Sequence, residues 1–372
     1  MKPASYLRIL CASVFFWIGM FGLLSLGVDP YGVSPVNVSV HRLNEVKIRR
    51  LDIDRLIKPY EVWRYQPETV FLGTSRIHQS INPATLDASV YATAYNASIP
   101  ASSLSLNISH LQQYLDLNPN LKTVFVELFI YNFLGQGQDQ REKGLWEFVT
   151  NSASLFVSSD VLWDSLITLG YNVTNGSPRY EIKPGGYFYY PPGHDARGTF
   201  AGFAAGIWAM APQGAENMKL HQPAIETIRQ LQALADERGL TMIFIATPNH
   251  AYFDYFVERV GAWPTVEQWL LEVASIGRVI SYSQPNSLVY EPVSQNMKYW
   301  NDPFHFSLEM GRAMTESFLG QLDEVPENFV VELTPDLVRQ HVASRRSAIQ
   351  AWATQNADYV EKIEEERLKL LQ

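Results

Sequence analysis

The stretch Thr69-Val-Phe-Leu-Gly-Thr-Ser-Arg-Ile-His78 is the basis of the fold prediction. Its apolar part is continuous rather than alternating, which is typical of a strand buried on both faces of a parallel sheet. Gly73 permits a sharp turn, so we expect Ser75 at the carboxyl end of the strand, where open α/β sheets bind ligands. Backbone N–H groups at the start of a following helix could hold a developing oxyanion. Because most Gly-x-Ser tripeptides are ordinary turns, this serine alone is weak evidence for a nucleophile.

A second stretch, Tyr299-Trp-Asn-Asp-Pro-Phe-His-Phe-Ser307, supplies the groups that such a serine would need. Asp302 and His305 are three residues apart, which can bring a carboxylate next to an imidazole on one turn. A serine nucleophile needs a base, and the base needs an acceptor on its other nitrogen. The alternative is a capped turn, with Asp302 and Pro303 starting a helix near Ser307. The two stretches together predict a catalytic triad of Ser75, His305 and Asp302.

Five short stretches, taken in order, resemble the SGNH-hydrolase superfamily. They are Val28-Asp-Pro-Tyr-Gly32, Gly73-Thr-Ser-Arg76, Tyr95-Asn-Ala-Ser-Ile-Pro100, Thr247-Pro-Asn-His-Ala251 and the segment from Asp302 to His305. The chain is most similar to membrane-anchored bacterial members, of the kind that includes the D-alanyl-lipoteichoic-acid protein D family and relatives of alginate O-acetyltransferases. The resemblance implies a three-layer α/β/α sandwich with a central parallel sheet. It also implies ester chemistry on cell-envelope or exported polysaccharide, often beside a membrane-bound O-acyltransferase, with no metal or organic cofactor.

The resemblance also implies further site residues. In the superfamily, the ends of the second and third strands supply a glycine and an asparagine to the oxyanion hole. Here Ser98 stands at the glycine position, Asn132 is the nearest asparagine, and the usual Gly-x-Asn-Asp motif is missing. Arg76 is a further candidate for a substrate or oxyanion contact. The family pattern places a histidine at the position of His250, although a lone histidine after a strand is usually structural.

Composition restricts the class of protein. The chain has 372 residues, enough for one large domain or two small ones, and its formal net charge is −9. Without a long basic run, this charge argues against a nucleic-acid partner. The single cysteine, Cys11, excludes an intrachain disulfide and cysteine-pair metal sites.

The N-terminal segment predicts a membrane anchor. Residues Ile9 to Val28 form an uncharged run long enough to span a bilayer as a helix. The alternative is a cleaved signal peptide with Ser25-Leu-Gly27 near its cleavage site. We favour the anchor because of its length. Positive charges before the run place the N-terminus in the cytoplasm, although basic residues also follow it. This predicts a single-pass protein of the bacterial inner membrane with its main domain on the periplasmic or extracellular side.

The predicted organisation has four parts: an anchor at residues 1–28, a connector and juxtamembrane helix at 29–65, an SGNH-like domain at 66–325, and a helical tail at 326–372. The predicted helix between His41 and Tyr65 breaks at Pro59. Further predicted strands are Val90 to Asn96, Thr123 to Leu128, Thr241 to Thr247 and, last, Gly277 to Tyr282. Within the domain, an aromatic-rich insertion at about 135–214 could form a carbohydrate-binding lid. A helix from about Ser158 is expected to stop at Gly170.

Three functions are compatible with these patterns. The preferred one is an exported serine esterase or O-acyltransferase acting on polysaccharide or acylated carbohydrate. The missing glycine and asparagine motifs favour the second, a non-catalytic accessory subunit of a membrane-bound O-acyltransferase system. The third is a flavodoxin-like binding module, although no phosphate-binding glycine cluster follows the first strand.

Overall fold

The computed structural model describes residues 3–35, 39–86, 93–134, 145–174, 181–183, 185–189, 200, 206–209, 216, 218–321 and 325–370. Contacts between Cα atoms divide the chain into two compact units. Unit 1 comprises Met1–Tyr65, Glu142–Pro184 and Phe188–Pro191. Unit 2 comprises Gln66–Arg141, Gly185–Tyr187 and Pro192–Gln372.

Unit 1 is mainly helical. Its elements are α1 (Pro3–Val28), α2 (Asp54–Tyr65), α5 (Leu145–Ser154), α6 (Ser159–Val173), and the short antiparallel strands β4 (Glu181–Ile182) and β5 (Phe188–Tyr189). A small core holds α2, α6 and the connector together through Tyr31, Val33, Ile57, Leu155 and Val161. Of the helices that the structure describes, α1 is the one that is long enough and apolar enough to cross a membrane, over Ser5–Val28. A signal sequence would have the same length and composition.

Unit 2 is a mixed α/β structure with a mostly parallel sheet. Its strands are β1 (Thr69–Leu72), β2 (Ala94–Asn96), β3 (Thr123–Leu128), β6 (Thr241–Ala246), β7 (Val279–Ser281) and β8 (Val331–Leu333). Its helices are α3 (Ser75–Ser80), α4 (Leu104–Leu117), α7 (Gln222–Arg238), α8 (Ala251–Val260), α9 (Trp263–Ile276), α10 (Leu308–Phe318), α11 (Pro335–Gln355) and α12 (Ala357–Leu370). The continuous apolar runs thus form buried strands, as predicted for β1 and β3.

The strand order is β2-β1-β3-β6-β7-β8, and only β8 is antiparallel to its neighbour within this sheet. Phe71 of β1 lies opposite Phe125 of β3, and their rings stack at 4.7 Å. Together with Ile243, they belong to a core that includes Met310 and Met314 of α10. Since β2 lies on one side of β1 and β3 on the other, the strand order reverses between β1 and β3. Ligands bind at such a reversal in open α/β sheets, and the residues after β1 and β3 meet there.

Several local predictions are wrong. The helix predicted between His41 and Tyr65 begins only at Asp54, and residues 41–50 form turns. Pro59 lies inside α2 and does not break it, because burial of Ile57 and Val62 offsets the one backbone hydrogen bond that a proline removes. Helix α6 continues past Gly170 to Val173. The strand at 279–281 is not the last, since β8 adds an antiparallel edge strand.

The C-terminal tail packs on unit 2. Helix α11 begins at Pro335, as the Thr-Pro-Asp sequence predicts, and packs against α8 and α9. Arg345, which interrupts the apolar positions of α11, is buried and forms an ion pair with Asp254 of α8 at 2.6 Å. The predicted start of the second strand at Val90 and most of the predicted lid lie outside the described residues.

Candidate active site

Ser75 and His305, 230 residues apart in sequence, lie within hydrogen-bond distance of each other. The Ser75 Oγ is 2.8 Å from His305 Nε2. On the other side of the ring, His305 Nδ1 is 2.7 Å from Asp302 Oδ2. With a neutral imidazole, Nδ1–H donates to the carboxylate and Nε2 accepts the serine proton. This is the arrangement of a serine nucleophile, its base and the acceptor that orients the base.

Asp302 uses its two carboxylate oxygens for different contacts. The second carboxylate oxygen, Oδ1, accepts the backbone N–H groups of Phe304 and His305, each at 2.8 Å. Asp302 therefore holds its own turn with one oxygen and the imidazole with the other, but it does not start the following helix, as the capped-turn alternative expected. The following helix α10 is capped by Ser307.

Ser75 is the first residue of α3, and its position depends on buried Glu127. The carboxylate oxygen Oε2 accepts the backbone N–H of Thr74 at 2.7 Å and the Thr74 hydroxyl at 2.8 Å. Gly73 is needed for this contact, because a Cβ there would come within 2.9 Å of Glu127 Oε2. Glu127, which sequence reasoning left unexplained, thus anchors the residue immediately before the serine.

Arg76 is buried beside the same carboxylate. Its Nε lies 3.7 Å from Glu127 Oε1, its Nη2 donates to the Pro248 carbonyl, and its guanidinium covers the Phe129 ring at 4.0 Å. Burial lowers the pKa of Arg76 to about 10, while the charges of Glu127 and Asp302 oppose that shift. The side chain therefore stays protonated at neutral pH and places a fixed positive charge beside Ser75.

A cavity of ≈ 460 Å³ opens at this edge of the sheet. Its described lining residues are Thr74, Ser75, Arg76, Ala101, Ser102, Phe129, Tyr131, Asn132, Gly206, Phe304 and His305. The cavity exposes the serine and histidine to a small-molecule ligand, and aromatic side chains form much of its wall. The volume is within the usual range for ligand sites.

Asn132, the nearest asparagine to the expected oxyanion position, lines this cavity. It belongs to the short 3₁₀ turn Ile130–Phe133 that follows β3. Among the described residues its carboxamide has no hydrogen-bond partner.

Ser98 and His250 are not among the described lining residues. Ser98 is fully buried, and its backbone N–H donates to Asn96 Oδ1 at 3.1 Å. His250 caps α8 by accepting the Tyr252 N–H, and its Nε2–H donates to the Glu291 carbonyl at 2.7 Å. Burial lowers the pKa of His250 to about 4, so it is neutral at physiological pH. Its contacts are those of a structural histidine.

Ala101 is one of several lining residues that the sequence did not single out; Phe129, Tyr131 and Phe304 are others. Ala101 follows β2 by five residues and has a φ of 54°, in the left-handed region where non-glycine residues are uncommon. Its backbone N–H has no backbone acceptor among the described residues. The only available signal was Pro100-Ala-Ser102, a turn composition without a distinctive motif.

Within the part of the chain that is described, no three His, Cys, Asp or Glu side chains are grouped as a metal site requires. Comparison with protein-family models and with curated proteins gives no match to this chain.

Proposed function

We propose that this chain is a serine esterase or O-acyltransferase of the SGNH-hydrolase type, with a three-layer α/β/α domain tethered to the bacterial inner membrane by α1. Its substrates are ester groups of cell-envelope or exported polysaccharide on the outer side of that membrane. The observation that carries the proposal is the continuous hydrogen-bonded series from Ser75 Oγ through His305 to Asp302, at 2.8 and 2.7 Å, beside an open cavity.

In the proposed reaction, His305 Nε2 takes the Ser75 proton while the serine Oγ attacks the ester carbonyl. Asp302 orients the imidazole and stabilises the imidazolium that forms. The oxyanion is stabilised by N–H groups of Ser75 and Ala101 and by the Asn132 carboxamide. His305 returns the proton to the departing alcohol as the carbon–oxygen bond breaks, which leaves an acyl-serine. Water or a sugar hydroxyl, deprotonated by His305, then releases the acyl group and regenerates the serine.

The geometry of the walls supports a carbohydrate ester as substrate. Tyr131 is 51% exposed, and Phe304 also borders the cavity next to His305. Aromatic faces of this kind stack on the apolar faces of sugar rings. A membrane-bound O-acyltransferase is the proposed partner, supplying or receiving the acyl group.

The test is ester hydrolysis by the full-length chain in lipid nanodiscs, on aryl acetates and a panel of acetylated sugars. We expect Ser75→Ala to lower kcat by at least about 10³-fold, because removal of a triad nucleophile has effects of this size. Ser159→Ala is a matched control, since Ser159 is also the first residue of a helix. It should leave kcat unchanged. A Ser75→Ala variant as active as the wild type would contradict the proposal.

A second candidate is a non-catalytic accessory subunit that guides polymer to a partner enzyme. The observation that favours it is the occupied N–H of Ser98, at the position where the superfamily has its glycine donor. If the wild type and Ser75→Ala were equally inactive on every ester of the panel, the accessory function would replace the enzymatic one.

A further inference from the structure

Helices α5 and α6 of unit 1 are joined by a short turn at residues 155–158; α6 packs beside α1, and α5 packs against α2. This helix–turn–helix segment, called the hairpin below, exposes several large apolar side chains. Val157 at the turn is 55% exposed, Trp163 on α6 is 64% exposed and Leu166 is 49% exposed. On α5, Trp146 is 78% exposed and Val149 is 48% exposed. The exposed apolar side chains at the turn and on α6 lie on the part of unit 1 that packs beside α1, and exposed apolar area of this kind indicates an interaction surface.

The position of the hairpin turn along α1 indicates what covers its exposed apolar side chains. A Cβ placed on Gly22 would lie 3.8 Å from Val157 Cγ2, so the hairpin turn is beside Gly22. Six residues of α-helix separate Gly22 from Val28, the end of α1, and they rise about 9 Å. If α1 crosses a bilayer, Val157 therefore lies about 9 Å inside the apolar length of the span.

From the turn at Val157, helix α6 runs towards the C-terminal end of α1. Asp164 of α6 accepts the Tyr31 hydroxyl at 2.7 Å and lies 3.1 Å from Arg49 Nε. Since Tyr31 follows α1 by three residues, Trp163 is at the level where α1 ends. Tryptophan favours this level, because its ring is amphipathic and the membrane–water interface offers both apolar and polar surroundings.

The hairpin is also fixed to the connector after α1. Asn172, near the end of α6, donates to the Val46 carbonyl at 3.0 Å and accepts the Val46 N–H at 2.9 Å. With the contacts of Asp164, these bonds hold α6 in one position relative to the end of α1. Asp160 is exposed in the first turn of α6, which limits how deeply the hairpin can enter hydrocarbon.

We propose that the α5–α6 hairpin is a second membrane contact, with its turn at Val157 immersed at the headgroup–acyl boundary and Trp163 at the interface. The occupant of this surface is the lipid bilayer. The inference rests on the membrane anchoring in the proposed function, and it adds a contact that would orient unit 1 on the membrane instead of leaving it on a single flexible stalk.

The test places one fluorescent label at a time on the full-length chain in lipid nanodiscs and measures quenching by lipids that carry a nitroxide on the acyl chain. Native Cys11 in α1 is the positive control. In a Cys11→Ala background, the test positions are Val157→Cys and Trp163→Cys. Leu337→Cys is the matched negative control, because Leu337 is also an exposed apolar side chain on a helix, at 41% exposure.

We expect labels at Val157 and Trp163 to be quenched at least about twofold more than the label at Leu337, with the nitroxide position that quenches best lying shallower than for Cys11. If the Cys11 label is quenched and both hairpin labels behave like Leu337, α1 is inserted but the hairpin proposal is wrong. Hairpin labels that are shielded from water but not quenched by lipid would show a protein occupant and also overturn it. If the Cys11 label itself is not quenched, the anchor on which the inference rests is wrong.

Discussion

Replacing Glu127 by Gln tests how the position of Ser75 is maintained. Glu127 is 1% exposed; its Oε2 accepts two hydrogen bonds from Thr74, while its Oε1 faces Arg76 Nε at 3.7 Å and the Thr247 hydroxyl at 3.5 Å. A glutamine keeps the two bonds to Thr74 only if its NH₂ group takes the Oε1 position. In that orientation the NH₂ group, instead of a carboxylate oxygen, faces the buried guanidinium of Arg76.

Removing one partner of a buried ion pair costs about 3 kcal/mol or more, because the other charge stays buried without compensation. For a chain of 372 residues we expect a fall in Tm of about 4 °C. Thr74 immediately precedes the serine, and a displacement of about 1 Å at a reacting group can cost about 10²-fold in rate. We therefore expect kcat on an aryl acetate to fall by about 10²-fold, with a smaller change in KM.

The matched control is Asp254→Asn, which removes another buried acid from a buried arginine, Arg345. Asp254 is not among the described residues that line the cavity, so this variant should lose a similar amount of stability while kcat stays within about twofold. Thermal unfolding and steady-state kinetics on both variants measure the two effects. Equal losses of activity in the two variants, or wild-type kinetics in Glu127→Gln, would refute a positioning role for Glu127.

Three further predictions concern separate parts of unit 2. Gly73→Ala should lower stability by about 1–3 kcal/mol, and kcat with it, because its Cβ would come within 2.9 Å of the Glu127 side chain; denaturant unfolding and kinetics measure this. Asn132→Ala should lower kcat by about 10²-fold with little change in Tm, as removal of one oxyanion donor does, and an unchanged kcat would exclude that role. Burial lowers the pKa of His250 to about 4, and burial together with Arg345 lowers that of His341 to about 3. In the unfolded chain both histidines bind a proton as the pH falls below about 6.5, whereas in the native chain they stay neutral. Their contribution to the free energy of unfolding is therefore fully present above about pH 6.5 and is lost as the pH falls. Between pH 7 and pH 5.5 the free energy of unfolding should drop by about 2 kcal/mol from these two groups, an effect that His250→Gln and His341→Gln variants should reduce in urea titrations.

Continuous apolar runs made the strands predictable. Val124 to Val126 and Phe71 to Leu72 are fully or nearly fully buried, so their pattern reports burial on two faces directly. The edge strand β8 was missed because Val331-Glu-Leu333 is short and half exposed, which gives it little apolar signal.

The proximity of Ser75 and His305 was predictable because residue types needed for one reaction stood in two short motifs. The supporting residues were less accessible to sequence reasoning. Glu127 stands inside an apolar strand, and its partner Arg76 is a charged residue that the fold buries, so their pairing depends on the register between β1 and β3. Ala101 was missed because the feature that matters is its positive φ, and alanine carries no marker for that conformation. The catalytic role of the site stays a prediction.

Covalent labelling of Ser75 tests the central claim most directly. The full-length chain in nanodiscs is treated with a fluorophosphonate, which phosphonylates serines activated by a neighbouring base, and the adduct is mapped by peptide mass spectrometry. We predict one adduct per chain, on Ser75, with none in Ser75→Ala and a large loss of labelling rate in His305→Ala. Absence of any adduct on the wild-type chain, or modification at another serine with Ser75 unmodified, would contradict the proposed triad.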